Sequence, residues 1–417
     1  MSSAERRGRQ RVLVLTGIFP NRSNPTWGIH VFQNVRALAA HADVRVVATV
    51  PWVPGVLARG RYRAYTHVPH DDVWEGIHVT YPRFVLVPKV ARFLHGYEYF
   101  LSIRRSVARV AREFRPDVIL AYFAYPYGFA AVRFGRMFRL PVVISCRGSD
   151  INHMSQPRLQ GRMIVSSLRA CRRVFVMSEE MRARVLGWGL DPARVDVVSN
   201  GVDASRFHPG DRAQARAELG IALDARVVVC VSRLSHEKGI DVLIDAMAQL
   251  DDSTRLYVIG DGAERAALTA RAQAARLGER VVLSLTRPHD EIPRWLAAAD
   301  VAVLPSHAEG MPNAVLEALS CGRPVVATAV GGTRELIHDA ALGTLVPPDD
   351  PGSLATALRA ALTRTWDEQT IAASVAGRTW DAVGQRAARL LEFDYAHDPS
   401  PVAREMGEHN SWTAGTR

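Results

Sequence analysis

Two charged residues in one short loop have the types and spacing that could bind a phosphorylated ligand. Arg233 and Lys238 lie between a β-branched run and an amphipathic stretch. In an open parallel sheet such a loop lies at the carboxyl edge, where the next helix offers free N–H groups and its positive dipole end. The chain has only two lysines against fifty arginines. Lys238, beside Gly239, therefore indicates that this position requires a compact ammonium group and not a planar guanidinium. A pyrophosphate site and a solvated basic loop are the two interpretations.

Two glutamates eight residues apart form a second candidate group. Glu309 follows the apolar run Val301–Leu304, and Glu317 lies about one turn into the next predicted helix. Pro312 suits a first helical turn, and Gly310 leaves room for a ligand to approach backbone N–H groups. Because carboxylates repel phosphate, we expect both to accept hydrogen bonds from the hydroxyls of a ribose and a hexose. The alternative is that they only favour a helix N-terminus and a solvated face.

The elements that must position these residues alternate between short apolar runs and helical stretches. The predicted strands are Arg11–Gly17, Val44–Val50, Val118–Tyr122, Val142–Cys146, Val174–Met177, Val195–Val198, Arg226–Ser232, Arg255–Ile259, Val281–Leu285, Val301–Leu304 and Val325–Thr328. The predicted helices of the second half include Ile240–Leu250, Glu264–Leu277 and Ala314–Cys321. Such alternation is typical of α/β proteins whose parallel sheets are covered by helices on both faces.

The chain of 417 residues is long enough for two hydrophobic cores. The turn-rich segment 200–210 suits a linker between two Rossmann-like domains. We predict an N-terminal domain over 1–205, a C-terminal domain over 206–375 and a C-terminal helix over 376–396. The polar segment 397–417 is predicted to be a flexible tail.

Positive charge is concentrated in the first half of the chain. Residues 1–205 have a net charge of +16, whereas residues 206–417 have a net charge of −6. This asymmetry calls for an anionic partner, either nucleic acid or the inner face of a membrane. The predicted helix Phe100–Phe114 has an apolar stripe, and its other face carries Arg104, Arg105, Arg109 and Arg112. Since no helix-turn-helix, RNP, KH or zinc pattern is present, we expect an anionic membrane surface and no nucleic acid.

The sequence also excludes several classes of protein. No run of about 18 apolar residues occurs, and the polar segment Met1 to Arg11 is not followed by the apolar h-region of a signal peptide, so we expect a cytoplasmic protein at the inner face of the membrane. The four cysteines are far apart, which argues against a disulfide framework or a zinc site. No Asp-x-Asp follows a strand, so we expect no metal, with arginine, lysine and helix dipoles in its place.

Together these motifs resemble glycosyltransferase family 4, whose members carry an Arg…Lys pair and two glutamates eight residues apart. Further matches cover nearly the whole chain: Gly28, Gly148-Ser-Asp150, Asn200-Gly-Val-Asp203, Gly260-Asp-Gly262 and Leu304-Pro-Ser306. The Pro-rich aromatic segments of the first half, Tyr81-Pro82-Arg83 and Tyr125-Pro126-Tyr127-Gly128, look like those of transferases that build bacterial cell-surface polysaccharides, including teichuronic-acid-type enzymes.

This resemblance implies the GT-B fold, with two Rossmann-like domains facing each other across a cleft. The N-terminal domain over 1–205 would bind the acceptor, the C-terminal domain over 206–375 would bind the nucleotide sugar, and the helix over 376–396 would cross back and pack on the N-terminal domain. It implies a retaining hexosyltransferase that moves a sugar from a nucleotide-diphosphate sugar to a lipid-linked or oligosaccharide acceptor. The acceptor hydroxyl would attack from the front face, so neither a cofactor nor a metal is expected. A sugar-nucleotide 2-epimerase of the same architecture and a basic nucleic-acid-binding protein are the alternatives.

The resemblance also assigns roles to individual residues. Arg233 and Lys238 would hold the donor phosphates, Glu309 the donor sugar and Glu317 the ribose. Arg233, Lys238 and Glu309 are the predicted catalytic residues. The other predicted donor contacts are Gly310, Met311, Pro312, Asn313, Gly28 and Arg287.

Two positions depart from the family pattern. Arg147 stands where many relatives have a histidine before Gly-Ser-Asp. It could contact an acidic sugar or an anionic acceptor, or pair with Asp150, which is the interpretation that we favour. The second departure is Leu285-Thr-Arg287, where relatives commonly have glycine before the loop that meets the base.

Overall fold

The computed structural model describes residues 9–52, 65–85, 95–152, 158–283 and 286–392. The chain forms two compact units, the first comprising residues 1–199 with 380–417 and the second residues 200–379. The predicted boundary at 205/206 differs because the start of the linker is bound into the second unit. There the Val202 N–H donates to the Arg378 carbonyl at 2.8 Å, and the Ser320 hydroxyl donates to the Phe207 carbonyl at 2.6 Å.

The first unit is an α/β layer structure with one large sheet. Its strands are β1 Arg11–Thr16, β2 Asp43–Ala48, β3 Val50–Trp52, β4 Asp71–Trp74, β5 Ile77–Thr80, β6 Arg83–Val85, β7 Val118–Tyr122, β8 Val142–Ser145, β9 Arg173–Val176 and β10 Val195–Val197. Its helices before residue 200 are α1 Ile29–Ala39, α2 His95–Phe114, α3 Phe129–Phe138, α4 Ser149–Asn152, α5 Arg158–Ala170 and α6 Glu179–Leu186. The eight-stranded sheet has the order β10-β9-β8-β7-β1-β2-β5-β4, and β3 pairs with β6.

One edge of this sheet is antiparallel, which the sequence interpretation did not include. Strand β4 pairs antiparallel with β5, whereas the other neighbours are parallel. The connecting residues Glu75 and Gly76 both have positive φ, 44° and 82°. Two consecutive residues of this kind form the tight hairpin turn whose twist matches that of the flanking strands.

The second unit is built on a fully parallel sheet. Its strands are β11 Arg226–Val231, β12 Thr254–Ile259, β13 Val281–Val282, β14 Val301–Leu304, β15 Val325–Thr328 and β16 Gly343–Val346. Its helices are α7 Arg212–Leu219, α8 Ile240–Met247, α9 Arg265–Ala274, α10 Ile292–Ala298, α11 Asn313–Ser320, α12 Thr333–Leu336, α13 Pro351–Thr363 and α14 Glu368–Ala373. The strand order is β13-β12-β11-β14-β15-β16, with every neighbour parallel. This confirms the prediction of two Rossmann-like α/β domains.

The last helix, α15 (Trp380–Leu391), belongs to the first unit. It packs on α1 at very short range: a Cβ added to Gly384 would lie 2.2 Å from the Ala37 carbonyl oxygen. Ala387, Ala388 and Leu391 are buried in the core of that unit. Residues 393–396 of the predicted helix and the predicted tail 397–417 lie outside the described residues.

The predicted strands agree with the observed ones to within a few residues, and three observed features were not predicted. Strand β16, the β4–β5 hairpin and the β3–β6 pair are short and have no long apolar run. Residues 284–285, the end of the predicted strand Val281–Leu285, lie outside the described residues. Among the described residues, no helix combines the length and the apolar character that a bilayer span requires.

Candidate functional site

The candidate residues of the second unit lie in loops that leave one edge of its sheet. Strand β11 leads into the loop with Arg233 and Lys238, and β14 leads into the loop with Glu309. Because β11 and β14 are parallel neighbours, both loops leave the carboxyl edge side by side. This is the edge where open α/β sheets bind their ligands.

A salt bridge joins the two sequence motifs. The Lys238 Nζ lies 2.6 Å from the Glu309 Oε1, and the side chains are only 20% and 9% exposed. The Ser306 hydroxyl donates to the same Glu309 oxygen at 2.7 Å. The carboxylate therefore has an ammonium and a hydroxyl as partners, as a buried charge requires. Arg233, by contrast, is exposed; its carbonyl accepts from the Ser235 N–H at 3.0 Å, but its side chain has no hydrogen-bond or ion-pair partner among the described residues.

Direct contact between backbones places Lys238 beside Glu309. Gly239 has a φ of 60°, and a Cβ there would lie 2.1 Å from the Pro305 carbonyl oxygen. The His307 N–H donates to the Glu237 carbonyl at 2.9 Å. These contacts fix the first loop against the second. The glycine after the lysine is therefore required by packing as well as by the left-handed backbone.

Two glycines that the sequence interpretation missed support the Glu309 loop. Gly331 has a φ of 53°, and a Cβ there would lie 2.2 Å from the Glu309 carbonyl oxygen. The Gly332 N–H donates to the Gly310 carbonyl at 2.9 Å, and Met311 is buried over this contact. The Gly331-Gly332 pair after β15 was the signal in the sequence, because consecutive glycines at a strand end permit close backbone approach.

Helix α11 begins at Asn313, one residue before the predicted start at Ala314, and Pro312 does not lie in its first turn as predicted. Pro312 is the residue before the helix, in an extended conformation with ψ 111°, and Asn313 is the first helical residue. The Asn313 amide oxygen accepts a hydrogen bond from the Asn200 side chain at 2.5 Å. This bond links the helix start to the first residue of the unit, a contact between residues 113 positions apart that periodicity does not predict.

A histidine that the sequence interpretation overlooked holds Glu317. The His289 Nε2 lies 2.9 Å from the Glu317 Oε1, and Glu317 is 8% exposed. The hydrogen bond that the imidazole makes to the Glu317 carboxylate raises the pKa of His289, against the opposing effect of burial. The ring of Phe207 lies 5.2 Å from the imidazole. Glu317 therefore faces a polar partner inside the unit and does not form a solvated surface.

No hydrogen bond or ion pair between described residues connects Arg287 to this cluster. Its side chain is exposed, and its Nε lies 3.8 Å from the Glu291 Oε2. The glycines of the Gly260-Asp-Gly262 segment have a local role. Cβ atoms on Gly260 and Gly262 would lie 2.0 and 2.1 Å from the carbonyl oxygens of Ser232 and Leu234. They therefore allow β12 to end against the loop that carries Arg233.

In the first unit, Gly28 occupies a position that only glycine suits. It precedes α1 with a φ of 71°, and a Cβ there would lie 2.6 Å from the Ile18 carbonyl oxygen. The loop between β1 and α1 thus folds back on itself through the glycine.

Arg147 and Asp150 meet mainly through the backbone. The Asp150 carboxylate accepts the Arg147 N–H at 2.9 Å and the Ala124 N–H at 2.7 Å. Burial raises the pKa of Asp150 and lowers the pKa of Arg147. The Arg147 guanidinium carbon lies 5.6 Å from the centre of the Tyr122 ring. Asp150 therefore holds the shape of the loop that presents Arg147.

No cluster of three or more His, Cys, Asp and Glu side chains suited to a metal occurs within the described ranges. The four cysteines are buried and form no disulfides.

Two family models together match most of the chain. Glycosyltransferase Family 4 matches residues 27–206, and Glycosyl transferases group 1 matches residues 211–374. The chain is 29% identical over 384 residues to a protein of Bacillus subtilis (strain 168) named as the teichuronic acid biosynthesis glycosyltransferase TuaC. That alignment covers 89% of this chain and 93% of TuaC.

A second relative matches part of the chain, and a solved structure matches its fold. A D-inositol 3-phosphate glycosyltransferase of Geodermatophilus obscurus is 42% identical over 208 residues, 47% of this chain and 46% of its own length. The crystal structure of Anabaena Alr3699/HepE in complex with UDP superposes with a TM-score of 0.65 and 21% identity. The superposition covers 97% of this chain and 100% of the HepE chain, and at this identity it shows a similarity of fold.

Proposed function

The chain belongs to glycosyltransferase family 4 and is a sugar-nucleotide-dependent transferase of the GT-B fold, and from this premise we propose that it is a retaining, metal-independent hexosyltransferase acting on a lipid-linked saccharide. The product would be a cell-surface polysaccharide or glycolipid. The proposal places the enzyme in the cytoplasm, at the inner face of the membrane.

The observation that carries the proposed donor site is the Lys238–Glu309 salt bridge beside the exposed Arg233. Lys238 and Arg233 supply two cations at the carboxyl edge of the sheet, which suits a diphosphate. Glu309 is an acceptor for sugar hydroxyls once the ammonium turns to the phosphate. Glu317, held by His289, is the corresponding acceptor for the ribose. We further assign Gly310, Met311, Pro312 and Asn313 to donor binding.

The proposed reaction needs no protein nucleophile. The acceptor oxygen forms a bond to the anomeric carbon on the face that the diphosphate leaves, and the bond between that carbon and the phosphate oxygen breaks. The proton of the acceptor hydroxyl passes to the departing phosphate oxygen. Arg233 and Lys238 stabilise the negative charge that grows on the diphosphate, which is the task that fixed cations perform in place of a metal.

Support for the acceptor comes from one relative and from the charge of the first half. TuaC is named for teichuronic acid biosynthesis and aligns over most of both chains. The net charge of +16 over residues 1–205 suits an anionic acceptor or an anionic surface. The proposal therefore favours a lipid-diphosphate-linked oligosaccharide over inositol phosphate, the acceptor named for the second relative.

The test is a transfer assay with lipid-diphosphate-linked saccharides and a panel of UDP, GDP and ADP sugars, with a chelator present. We expect Lys238→Ala and Glu309→Gln to lower kcat by about 100- to 1000-fold, as loss of one transition-state contact does. The matched control is Glu279→Gln, which changes an exposed glutamate at the other end of β12 and β13. NMR of the product should show a retained anomeric configuration.

Three results would count against the proposal. A wild-type rate in Glu309→Gln would remove the site assignment. An inverted product or a requirement for a divalent cation would remove the mechanism. Isomerisation of the donor without an acceptor would indicate a 2-epimerase.

A further inference from the structure

Three neighbouring helices of the first unit form a strongly basic face, here called the α2–α3–α5 face. Helix α2 contacts α3, and α3 contacts α5. The three helices contain nine arginines and two glutamates, and both glutamates lie in α2. A solvated surface needs no such imbalance, since mixed charges keep a protein soluble equally well.

Helix α2 exposes apolar side chains within the same stripe as its arginines. Tyr97 and Leu101 are 45% and 56% exposed, and Arg104, Arg105 and Arg112 follow at spacings that keep them on one side of the helix. The opposite side of the helix is the core side. Its buried residues include Ile103, Val107 and Val110.

The other two helices continue this pattern. Met137 of α3 and Leu159 of α5 are 51% and 47% exposed. Arg136 lies beside Met137, and Arg162 is one turn after Leu159, both exposed. Neither helix contains an acidic residue. Exposed apolar side chains and arginines thus alternate across three helices.

One arginine is held between rings at this surface. The guanidinium carbon of Arg133 lies 3.4 Å from the ring centre of Phe129 and 4.5 Å from that of Tyr97. The two rings themselves pack edge to face at 4.9 Å. Tyr97 is therefore fixed in an exposed position with a cation on it, an arrangement that suits a boundary between apolar and charged surroundings.

The arginines of helix α2 differ in whether a described carboxylate pairs with them. Within the described part of the chain, Arg104 and Arg105 have no carboxylate partner. Arg109, outside the stripe, pairs with Asp71 at 2.9 Å and lies 3.9 Å from Glu113. Since Arg109 pairs with Asp71 and the described residues offer no carboxylate to Arg104 or Arg105, the stripe has charge available for an external anion.

We propose that the α2–α3–α5 face docks on a bilayer of anionic phospholipid. Tyr97, Leu101 and Met137 enter the headgroup region, and the surrounding arginines bind lipid phosphates. A nucleic acid would satisfy the arginines but would offer no apolar medium for Leu101 and Met137. The inference rests on the proposed function in one respect only, because a lipid-linked acceptor would reside in that same bilayer.

The test measures co-sedimentation of the full chain with vesicles, without any sugar. One set of vesicles is phosphatidylcholine alone, and the other is an equimolar mixture with phosphatidylglycerol. We expect binding to the mixture only, and weaker binding as salt is added. Arg104→Glu/Arg105→Glu should lower the partition coefficient more than about 25-fold, at roughly 5-fold per arginine removed. Leu101→Gln/Met137→Gln should lower it about 10-fold.

Two control variants match these changes. Arg386→Glu/Arg389→Glu alters the net charge equally on exposed positions of α15, which packs on α1. Leu223→Gln changes a leucine of the second unit that is 67% exposed. Both controls should bind nearly as the wild type. Equal losses in test and control variants would overturn the proposal, since binding would then follow net charge alone.

Two further outcomes separate this inference from its alternatives. Duplex DNA that binds the protein and loses affinity through the same four substitutions would overturn the lipid assignment. A protein that binds vesicles through this face but transfers no sugar would leave the inference standing and contradict the proposed function. Transfer to a lipid-diphosphate-linked saccharide in detergent, by a protein that binds no vesicles, would contradict the inference and leave the proposed function standing.

Discussion

Glu317 illustrates how a buried carboxylate is stabilised before a ligand arrives. It is 8% exposed, and the His289 imidazole supplies the partner that a buried carboxylate needs. A ribose hydroxyl that binds Glu317 must share or displace this histidine. His289 is therefore a positioning residue for the proposed ribose contact.

The His289–Glu317 pair predicts a pH-dependent stability. The raised pKa of His289 means that the pair stabilises the fold below the unfolded-state value of about 6.5 and that this gain is lost as pH rises through the folded-state pKa. Glu317 and Asp290 raise this pKa, whereas burial and Arg206 lower it. The gain should stay below about 1 kcal/mol because the His289 side chain is 40% exposed.

We expect His289→Gln to lower the urea midpoint relative to the wild type at about pH 5.5 and to have little effect at about pH 8.5. His208→Gln, which changes an exposed histidine of the same unit, is the control. An equal decrease at both pH values would mean that the histidine contributes through packing and not through its charge.

At the scale of elements, the site depends on loops whose backbones touch. The loop after β11 rests on the loop after β14 at Gly239, and the latter rests on the segment after β15 at Gly331. Each contact uses a glycine with positive φ. The charged side chains are therefore positioned by loops at the ends of three strands that are neighbours in the sheet, β11, β14 and β15, and no single loop forms the site.

Gly239→Ala tests this arrangement. The new Cβ would lie 2.1 Å from the Pro305 carbonyl oxygen, so the two loops must separate. Gly220→Ala is the matched control, because Gly220 has a similar φ of 66° but no atom within 4 Å of the added Cβ. Both substitutions introduce backbone strain of about 1–3 kcal/mol, and only Gly239→Ala adds the clash.

We expect Gly239→Ala to lose more unfolding free energy than Gly220→Ala. It should also bind UDP, GDP or ADP sugars more weakly. Thermal shift with and without donor measures both. If the two alanine variants behave alike, loop contact does not control the position of Lys238.

For the whole molecule, the chain order and the structural units do not coincide. Helix α15 follows the second unit in sequence but completes the core of the first, where Leu391 is fully buried and the Gln10 side chain donates to the Leu391 carbonyl at 2.5 Å. The stability of the first unit therefore depends on residues at the far end of the chain.

Gly384→Val should destabilise the first unit selectively. The added side chain would meet the Ala37 carbonyl oxygen, 2.2 Å from the new Cβ, and would lift α15 from α1. Hydrogen exchange should show lost protection in α1 and β2, with β11 and β14 unchanged. Gly377→Val, at a glycine with no atom within 4 Å of its Cβ, is the control. Lost protection in the second unit instead would contradict the assignment of α15.

The sequence alone determined the α/β class, most of the strands and the charged motifs. Apolar, β-branched runs such as Val118–Tyr122 and Val301–Leu304 are typical of buried strands. Their predicted bounds agree with the observed strands to the residue. Arg233, Lys238, Glu309 and Glu317 were identified because their types and spacing repeat a family pattern. None of this required knowledge of contacts between distant residues.

Only the tertiary structure decided which of these residues meet. Lys238 and Glu309 are 71 positions apart, and His289 and Glu317 are 28 apart, so their pairing depends on the order of parallel strands in the sheet. The contact of Gly331 with Glu309 and the packing of α15 on α1 also join residues that are distant in the sequence. Local periodicity describes which face of an element is apolar, but sheet order and backbone packing determine what that face contacts.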